Sequence, residues 1–142
     1  MVFVFDEGAV YDAPLDKIWK LNMAHGSSMP RIHPGLKDPK FEQLSDTVFQ
    51  ASYGTDIGGQ TVKISVKFSF YPPLGFAAEH LEGPFEGTKF FTYYTPKGGR
   101  TEVTVAGEFV SKAPMSDDQV KDSALALLEE FFEQDKAFLA TM

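Results

Sequence analysis

Residues 60–71, QTVKISVKFSFY, decide the fold class, because apolar and polar side chains alternate along them without interruption. A period of two is typical of a β-strand that has one dry face and one face in water. The dry face is large and rich in aromatic rings, and it consists of Val62, Ile64, Val66, Phe68 and Phe70. Such a face must pack against another apolar element.

The same alternation extends through the middle of the chain, between residues 41 and 112. Residues 101–109 repeat it, and turn-forming glycines and prolines separate the runs at 56–59, 71–75, 83–87 and 97–99. Glycine and proline supply the backbone angles that tight turns require. We therefore predict about six consecutive antiparallel strands in a meander, and the Val- and Phe-rich residues 1–11 add a seventh.

A short helical region follows the first strand. Apolar residues recur at helical spacing from Leu15 to Met23. Beyond them, Pro30, Pro34 and Gly35 predict that any second helix between residues 27 and 38 is brief and broken.

A long amphipathic helix closes the sequence. Ser116 can cap its first turn, and Gln119 three residues later completes a capping box. Its apolar face continues to Leu139, over about six turns. The predicted fold is therefore α+β, with a curved antiparallel sheet of about seven strands wrapped around the C-terminal helix and two short helices between strands one and two.

The composition predicts one globular domain over residues 1–142. Of these residues 43% are hydrophobic, 14% aromatic and 23% charged, and a chain of this size buries enough surface to fold without a metal or a disulfide. Because cysteine is absent, a thiolate metal site and a thiol nucleophile are excluded.

The formal net charge of −7 works against binding to nucleic acid or to an anionic membrane surface. No apolar run approaches the roughly 18 residues of a membrane span, so stable membrane insertion is not expected. The N-terminus lacks the features of a signal peptide, and a cytoplasmic location is the expectation. The oligomeric state is left open.

The predicted architecture leaves space between sheet and helix. A twisted sheet is wider than the helix diameter of about 10–12 Å, so the space is either filled by large side chains or left as a cavity for an apolar molecule. The residues that we expect to line it are Tyr53, Val66, Phe68, Phe70, His80, Phe85, Phe90, Tyr94, Val105, Phe109, Leu127, Leu128 and Phe131.

Several short motifs follow one another in a telling order. They are Val10-Tyr11-Asp12-Ala13-Pro14 after the first strand, Ile18-Trp19 in the helix, the turn at 83–87, Tyr94-Thr95-Pro96 and the Gly98-Gly99 hairpin. Together they resemble the START/Bet v 1 (SRPBCC) helix-grip superfamily, in particular its polyketide cyclase/lipid transport branch. The resemblance implies a hydrophobic pocket that binds lipids, sterols, quinones, polyketides or hormones, and catalysis in only a minority of members.

Three loops are expected to share one rim of the sheet, because alternate hairpins of a meander fall at the same end. They are residues 57–59, 83–87 and 113–115, and we expect ligands to pass there. The resemblance implies that the first two act as gate and latch. Phe85 is predicted to be a mobile lid, because an aromatic side chain in a glycine-flanked turn is exposed unless something covers it.

No strong catalytic signature is present. Ser27 and Ser28 lack the setting of a nucleophile elbow. The spacing of the histidines at 25, 33 and 80 places no two of them on one helical face and matches no usual metal-ligand pattern, so we predict no metal site. A glycine-rich phosphate-binding loop is also missing, and no cofactor is predicted.

The weak candidates for chemistry are polar side chains that can face the cavity. His80 and Tyr94 are the candidates for catalysis, as a general acid or base and as a polarising hydroxyl. Tyr53 and His33 are further polar candidates, and Arg31 or Lys40 could pair with an anionic head group.

Three functions remain open from the sequence. The first is a non-catalytic carrier or sensor of an apolar small molecule. The second is an enzyme of the cyclase, dehydratase or hydrolase kind that uses Tyr94 or His80. The third is a protein-interaction module whose sheet face or loops carry the contact.

Overall fold

The computed structural model describes all 142 residues and contains seven strands and two helices. In chain order they are β1 (Val2–Tyr11), α1 (Leu15–Ile32), β2 (Lys37–Gln43), β3 (Val48–Ile57), β4 (Gln60–Tyr71), β5 (Gly75–Glu82), β6 (Lys89–Lys97), β7 (Arg100–Phe109) and α2 (Asp117–Leu139).

All seven strands form one antiparallel sheet in the order β1-β7-β6-β5-β4-β3-β2. The strands from β2 to β7 are joined as consecutive hairpins, and β1 pairs with β7 at the far edge. The predicted meander and its additional first strand are therefore confirmed. A bulge interrupts the pairing of β1 with β7 between Asp6 and Ala9, where Gly8 has a φ of 102°.

α1 corrects the prediction of two short helices between the first two strands. It is one helix of 18 residues, and Pro30 lies inside its last turn. Proline costs little there, because it removes a single hydrogen bond near a helix end. Burial of Met29 and Ile32 keeps that turn packed against the rest of the protein.

α2 begins as predicted. The side chain of Ser116 accepts a hydrogen bond from the backbone of Gln119, and the Gln119 side chain accepts one from the backbone of Ser116, which completes the capping box. The buried residues of α2 are Val120, Ala124 and Leu139, near its two ends. The residues between these ends are only partly buried or exposed, and Phe132 among them packs on Tyr11 of β1.

Three buried clusters lie around the space between α2 and the sheet. One includes Tyr11, Ile18 and Leu139, a second joins Val120 to the sheet, and a third lies within the sheet around Val66.

Neither α1 nor α2 combines the length and apolar character that crossing a bilayer requires.

Candidate ligand-binding site

A cavity of about 750 Å³ lies between the sheet and the two helices. It is lined by 33 residues, of which 22 are hydrophobic. This volume falls within the range of about 300–1,000 Å³ that small-molecule sites occupy. The side chains of the protein therefore do not fill the space that the sheet encloses.

Most of the expected lining residues do face this cavity. They are Tyr53, Val66, Phe68, Phe70, His80, Phe90, Tyr94, Val105, Phe109, Leu127, Leu128 and Phe131. On β6 the alternation is resolved, because Phe90, Thr92 and Tyr94 line the cavity, whereas Phe91 packs on the opposite face against Tyr71 and Tyr93. The sequence left this assignment open, because Phe91 and Tyr93 make the other face of the strand aromatic as well.

Phe90 lies at the centre of the aromatic wall. It packs against all three buried clusters, and its ring stacks on Phe109 with centroids 5.4 Å apart and planes only 7° from parallel. The close approach depends on Gly107, because a Cβ there would lie 2.5 Å from the Cβ of Phe90. Position 107 of β7 thus has no room for a side chain.

The loops expected to control access do not contribute to the lining. Phe85 lies outside it, because its half-buried ring packs against His80, at a centroid distance of 6.4 Å. Arg31 and Lys40 are exposed and also lie outside the lining. The guanidinium of Arg31 instead sits over the ring of Phe138.

Exposed lining residues mark where the cavity reaches the surface. They are Gly8 in the bulge of β1 and Glu129, Glu133 and Lys136 on α2. The opening therefore lies between the first strand and the last helix, and not at the rim that the sequence predicted.

A polar pair faces the cavity from α1 and β6. Asn22 Nδ2 donates to the hydroxyl of Tyr94 at 3.0 Å, and the hydroxyl lies 3.3 Å from Asn22 Oδ1. Burial, together with the charge of Asp135, raises the pKa of Tyr94 above its ordinary value despite the hydrogen bond to Asn22. The hydroxyl is thus neutral and offers a ligand a hydrogen bond.

Burial shifts the pKa of two more of the expected polar residues, His80 and Tyr53. Burial lowers the pKa of His80 to about 4, so its imidazole is neutral at pH 7. Burial also raises the pKa of Tyr53 to about 12. Neither side chain has a charged partner within hydrogen-bond distance, and both serve mainly as cavity wall.

A second polar group joins the two helices. His25 lies within α1, and His33 is the C-cap residue of that helix. The Nε2 atoms of the two side chains lie 3.1 and 3.2 Å from Oδ1 of Asp135 on α2. Burial favours the uncharged forms of His25 and Asp135, but their mutual hydrogen bond and charges outweigh it. The pKa of His25 is therefore raised and that of Asp135 is lowered.

Asn22, His25 and Asp135 were not predicted as site residues from the sequence. The structure also brings His25 and His33 together, whereas the sequence analysis placed no two histidines on one helical face. One signal was present in α1, because residues 22, 25, 29 and 33 are spaced by three or four and share a face once the helix is continuous. The other was Asp135, a carboxylate on the apolar face of α2, four residues after Phe131 and three before Phe138.

No protein-family model matches this chain, and no curated protein sequence matches it. Solved structures do. A START superfamily protein from Mycobacterium smegmatis superposes with a TM-score of 0.78 at 17% identity, over 98% of this chain and 97% of that one. Ara h 8.0201 superposes with a TM-score of 0.76 at 16% identity, over 99% of this chain and 98% of that one. The Zhui aromatase/cyclase from a Streptomyces species superposes with a TM-score of 0.72 at 15% identity, over 96% of this chain and 91% of that one.

The chain therefore has the helix-grip fold of START/Bet v 1 proteins, as the order of its sequence motifs predicted. At these identities the likeness establishes the arrangement of sheet and helix. What the cavity binds follows from its own residues.

Proposed function

We propose that this protein binds and carries a hydrophobic small molecule in the cavity between the sheet and α2. One observation supports this above all others, which is a space of about 750 Å³ with a predominantly apolar lining in a chain of only 142 residues. A cavity of this size that side chains do not fill is costly to the fold, because its apolar walls forgo the packing contacts of a solid interior. A ligand would restore those contacts.

The physics of the lining favours an apolar ligand with one polar end. Burial of apolar surface contributes about 25 cal/mol per Å², so about 300 Å² of ligand surface supplies about 7.5 kcal/mol before the cost of association. The Asn22–Tyr94 pair would orient the ligand through a carbonyl or hydroxyl oxygen. Lipids, quinones and polyketides all combine these features.

Acid–base catalysis has less support than carriage. His80 is neutral at pH 7 and lacks an orienting partner, and the raised pKa of Tyr94 disfavours its anion. Both groups suit recognition of a neutral ligand better than proton transfer.

Trp19 provides a reporter for the experiment that tests this proposal. It is the only tryptophan, and its ring contacts Phe70 and Tyr94, two cavity residues, at centroid distances of 5.5 and 5.7 Å. A saturated fatty acid or a naphthoquinone added to the protein should change the Trp19 emission and saturate at one molecule per chain. Native mass spectrometry of protein purified from a cell extract should show a bound small molecule.

Two variants on neighbouring positions of α2 test whether the cavity is the site. Leu127→Trp places a larger side chain in the cavity and should weaken fatty-acid binding at least about tenfold, since one lost contact of 1.4 kcal/mol already gives that factor. Ala126→Trp adds the same side chain at an exposed position and should leave binding unchanged. Because each variant adds a tryptophan, binding to both is measured by calorimetry. Equal affinities in the two variants, or no saturable binding to the wild type, would refute the proposal.

A further inference from the structure

Three side chains meet between α1 and α2 in a way that apolar ligand binding does not require. Nε2 of His25 and Nε2 of His33 lie 3.1 and 3.2 Å from the same Asp135 oxygen, and the two nitrogens are 3.3 Å apart. The three atoms form a nearly equilateral triangle.

The other nitrogen of each ring is already committed. His25 Nδ1 lies 2.9 Å from the carbonyl oxygen of Leu21, and His33 Nδ1 lies 2.5 Å from Oε1 of Gln134. Because these oxygens accept hydrogen bonds, each Nδ1 carries the proton and donates it. In the neutral rings both Nε2 atoms therefore present lone pairs to the carboxylate and to each other.

Three acceptor atoms at such distances need a cation among them. One added proton lets the Nε2 of one ring donate to the carboxylate. The Nε2 of the other ring then still faces the same carboxylate oxygen, and neither of those two atoms has a proton to donate to the other. Two protons create two imidazolium ions with nitrogens 3.3 Å apart, which repel each other. One divalent metal ion satisfies all three atoms at once.

We propose that His25, His33 and Asp135 bind one divalent metal ion of the Zn²⁺ type. Bonds of about 2.0–2.1 Å in a tetrahedral site place neighbouring ligand atoms about 3.3–3.4 Å apart, close to the three distances observed. Two imidazoles and one carboxylate suit Zn²⁺ and similar ions, whereas Mg²⁺ and Ca²⁺ prefer sites made of oxygen. The hydrogen bonds to Leu21 and Gln134 fix both rings in the coordinating orientation.

The site leaves a coordination position open toward the cavity. All three residues line the cavity, and the side chains of His25 and Asp135 are 15% and 21% exposed. Three protein ligands with one open position are typical of zinc sites that bind water or a substrate oxygen. In so far as the proposed function holds, the ligand that completes the sphere is an apolar molecule with a carboxylate, enolate or phenolate oxygen.

Calorimetric titration of chelator-treated protein with Zn²⁺ tests the site without any organic ligand. The expected result is one ion per chain. His33→Ala and Asp135→Asn should lower the affinity at least about 100-fold, because even the loss of a hydrogen-bond partner to a metal ligand costs about 10- to 100-fold. Asp122→Asn is the matched control for Asp135→Asn, since Asp122 is an exposed residue of α2 outside the cavity lining, and it should bind Zn²⁺ like the wild type. No saturable binding to the wild type, or equal affinities in Asp135→Asn and Asp122→Asn, would overturn the proposal.

A measurement on the wild type removes any dependence on how the variants fold. Long-range ¹H–¹⁵N spectra should show the Nε2 signals of His25 and His33 moving on addition of Zn²⁺ while those of His80 stay in place. A change confined to His80, or no change, would contradict the site.

The cavity-filling variant separates this inference from the proposed function. Leu127→Trp should retain zinc binding while it loses the fatty acid. If the wild type binds Zn²⁺ but no fatty acid, the metal site is supported and the proposed function is refuted. If it binds the fatty acid but no Zn²⁺, the metal site is refuted and the proposed function is supported.

Discussion

The sheet side and the helix side of the cavity differ in how their chemistry is assembled. The sheet side is a wall of aromatic rings on adjacent strands, with Phe90 stacked on Phe109 at its centre. Most of the polar groups lie on the helix side, in Asn22, which reaches across to the hydroxyl of Tyr94 on β6, and in the triangle of His25, His33 and Asp135. The wall can supply affinity for many apolar molecules, whereas the polar groups can distinguish among them, because hydrogen bonds and metal bonds are directional.

The largest expected effect on stability comes from breaking the aromatic wall. Phe90→Ala should lower the free energy of unfolding by about 3 kcal/mol, because Phe90 packs against all three buried clusters and its removal enlarges the cavity. Urea denaturation followed by circular dichroism measures the loss.

Phe91→Ala is its control, one residue along β6 on the outer face, and should cost about 1 kcal/mol or less. Equal losses in the two variants would show that the inner wall is no better packed than the outer surface.

A smaller effect should appear where the wall contains an ionisable group. The pKa of His80 is about 4 in the folded protein and about 6.5 when unfolded, so the unfolded chain binds more protons as the pH falls below 6.5. Between pH 7.5 and pH 4.5 the wild type should therefore lose about 2 to 3 kcal/mol more stability than His80→Leu. Urea denaturation of both proteins at the two pH values measures this difference, and parallel losses would contradict the burial of a neutral imidazole.

The smallest effect concerns the polar pair that links the two sides, Asn22 on α1 and Tyr94 on β6. Tyr94→Phe should cost about 1 kcal/mol, because the Asn22 amide loses its partner inside the cavity. A double-mutant cycle with Asn22→Leu checks the assignment. The double variant should be no less stable than Tyr94→Phe, since no polar group is then left unpaired. Additive losses would mean that the two side chains do not interact.

The sequence predicted the sheet side better than the helix side. Strand residues such as Val66, Phe68 and Phe70 follow a strict period of two, so their face could be assigned from the order of the amino acids alone. The turn at 83–87 was also located, but not the direction of Phe85, because the direction of a side chain in a turn depends on the backbone angles of each residue. The position of the opening was missed for a related reason, since it depends on a bulge in β1.

On the helix side, local sequence signals were misleading. Pro30 and the later Pro34 and Gly35 argued against a continuous helix, yet α1 runs to Ile32. That continuity is what brings His25 and His33 onto one side. The acidic partner lies more than 100 positions away in the chain, at 135, so no local pattern connects it to them.

The sequence by itself determined the alternating strands and the capped last helix, because each segment carries its own period of two or 3.6 residues. These periods also fix which aromatic residues share the inner face of a strand or helix, and therefore the aromatic content of the enclosed space. Only the tertiary structure decided that side chains leave this space unfilled, where it opens, and that two imidazoles and a carboxylate meet inside it. Those outcomes depend on how α1 and α2 lie against each other across the sheet, and that packing is a property of the whole chain, which no single segment encodes.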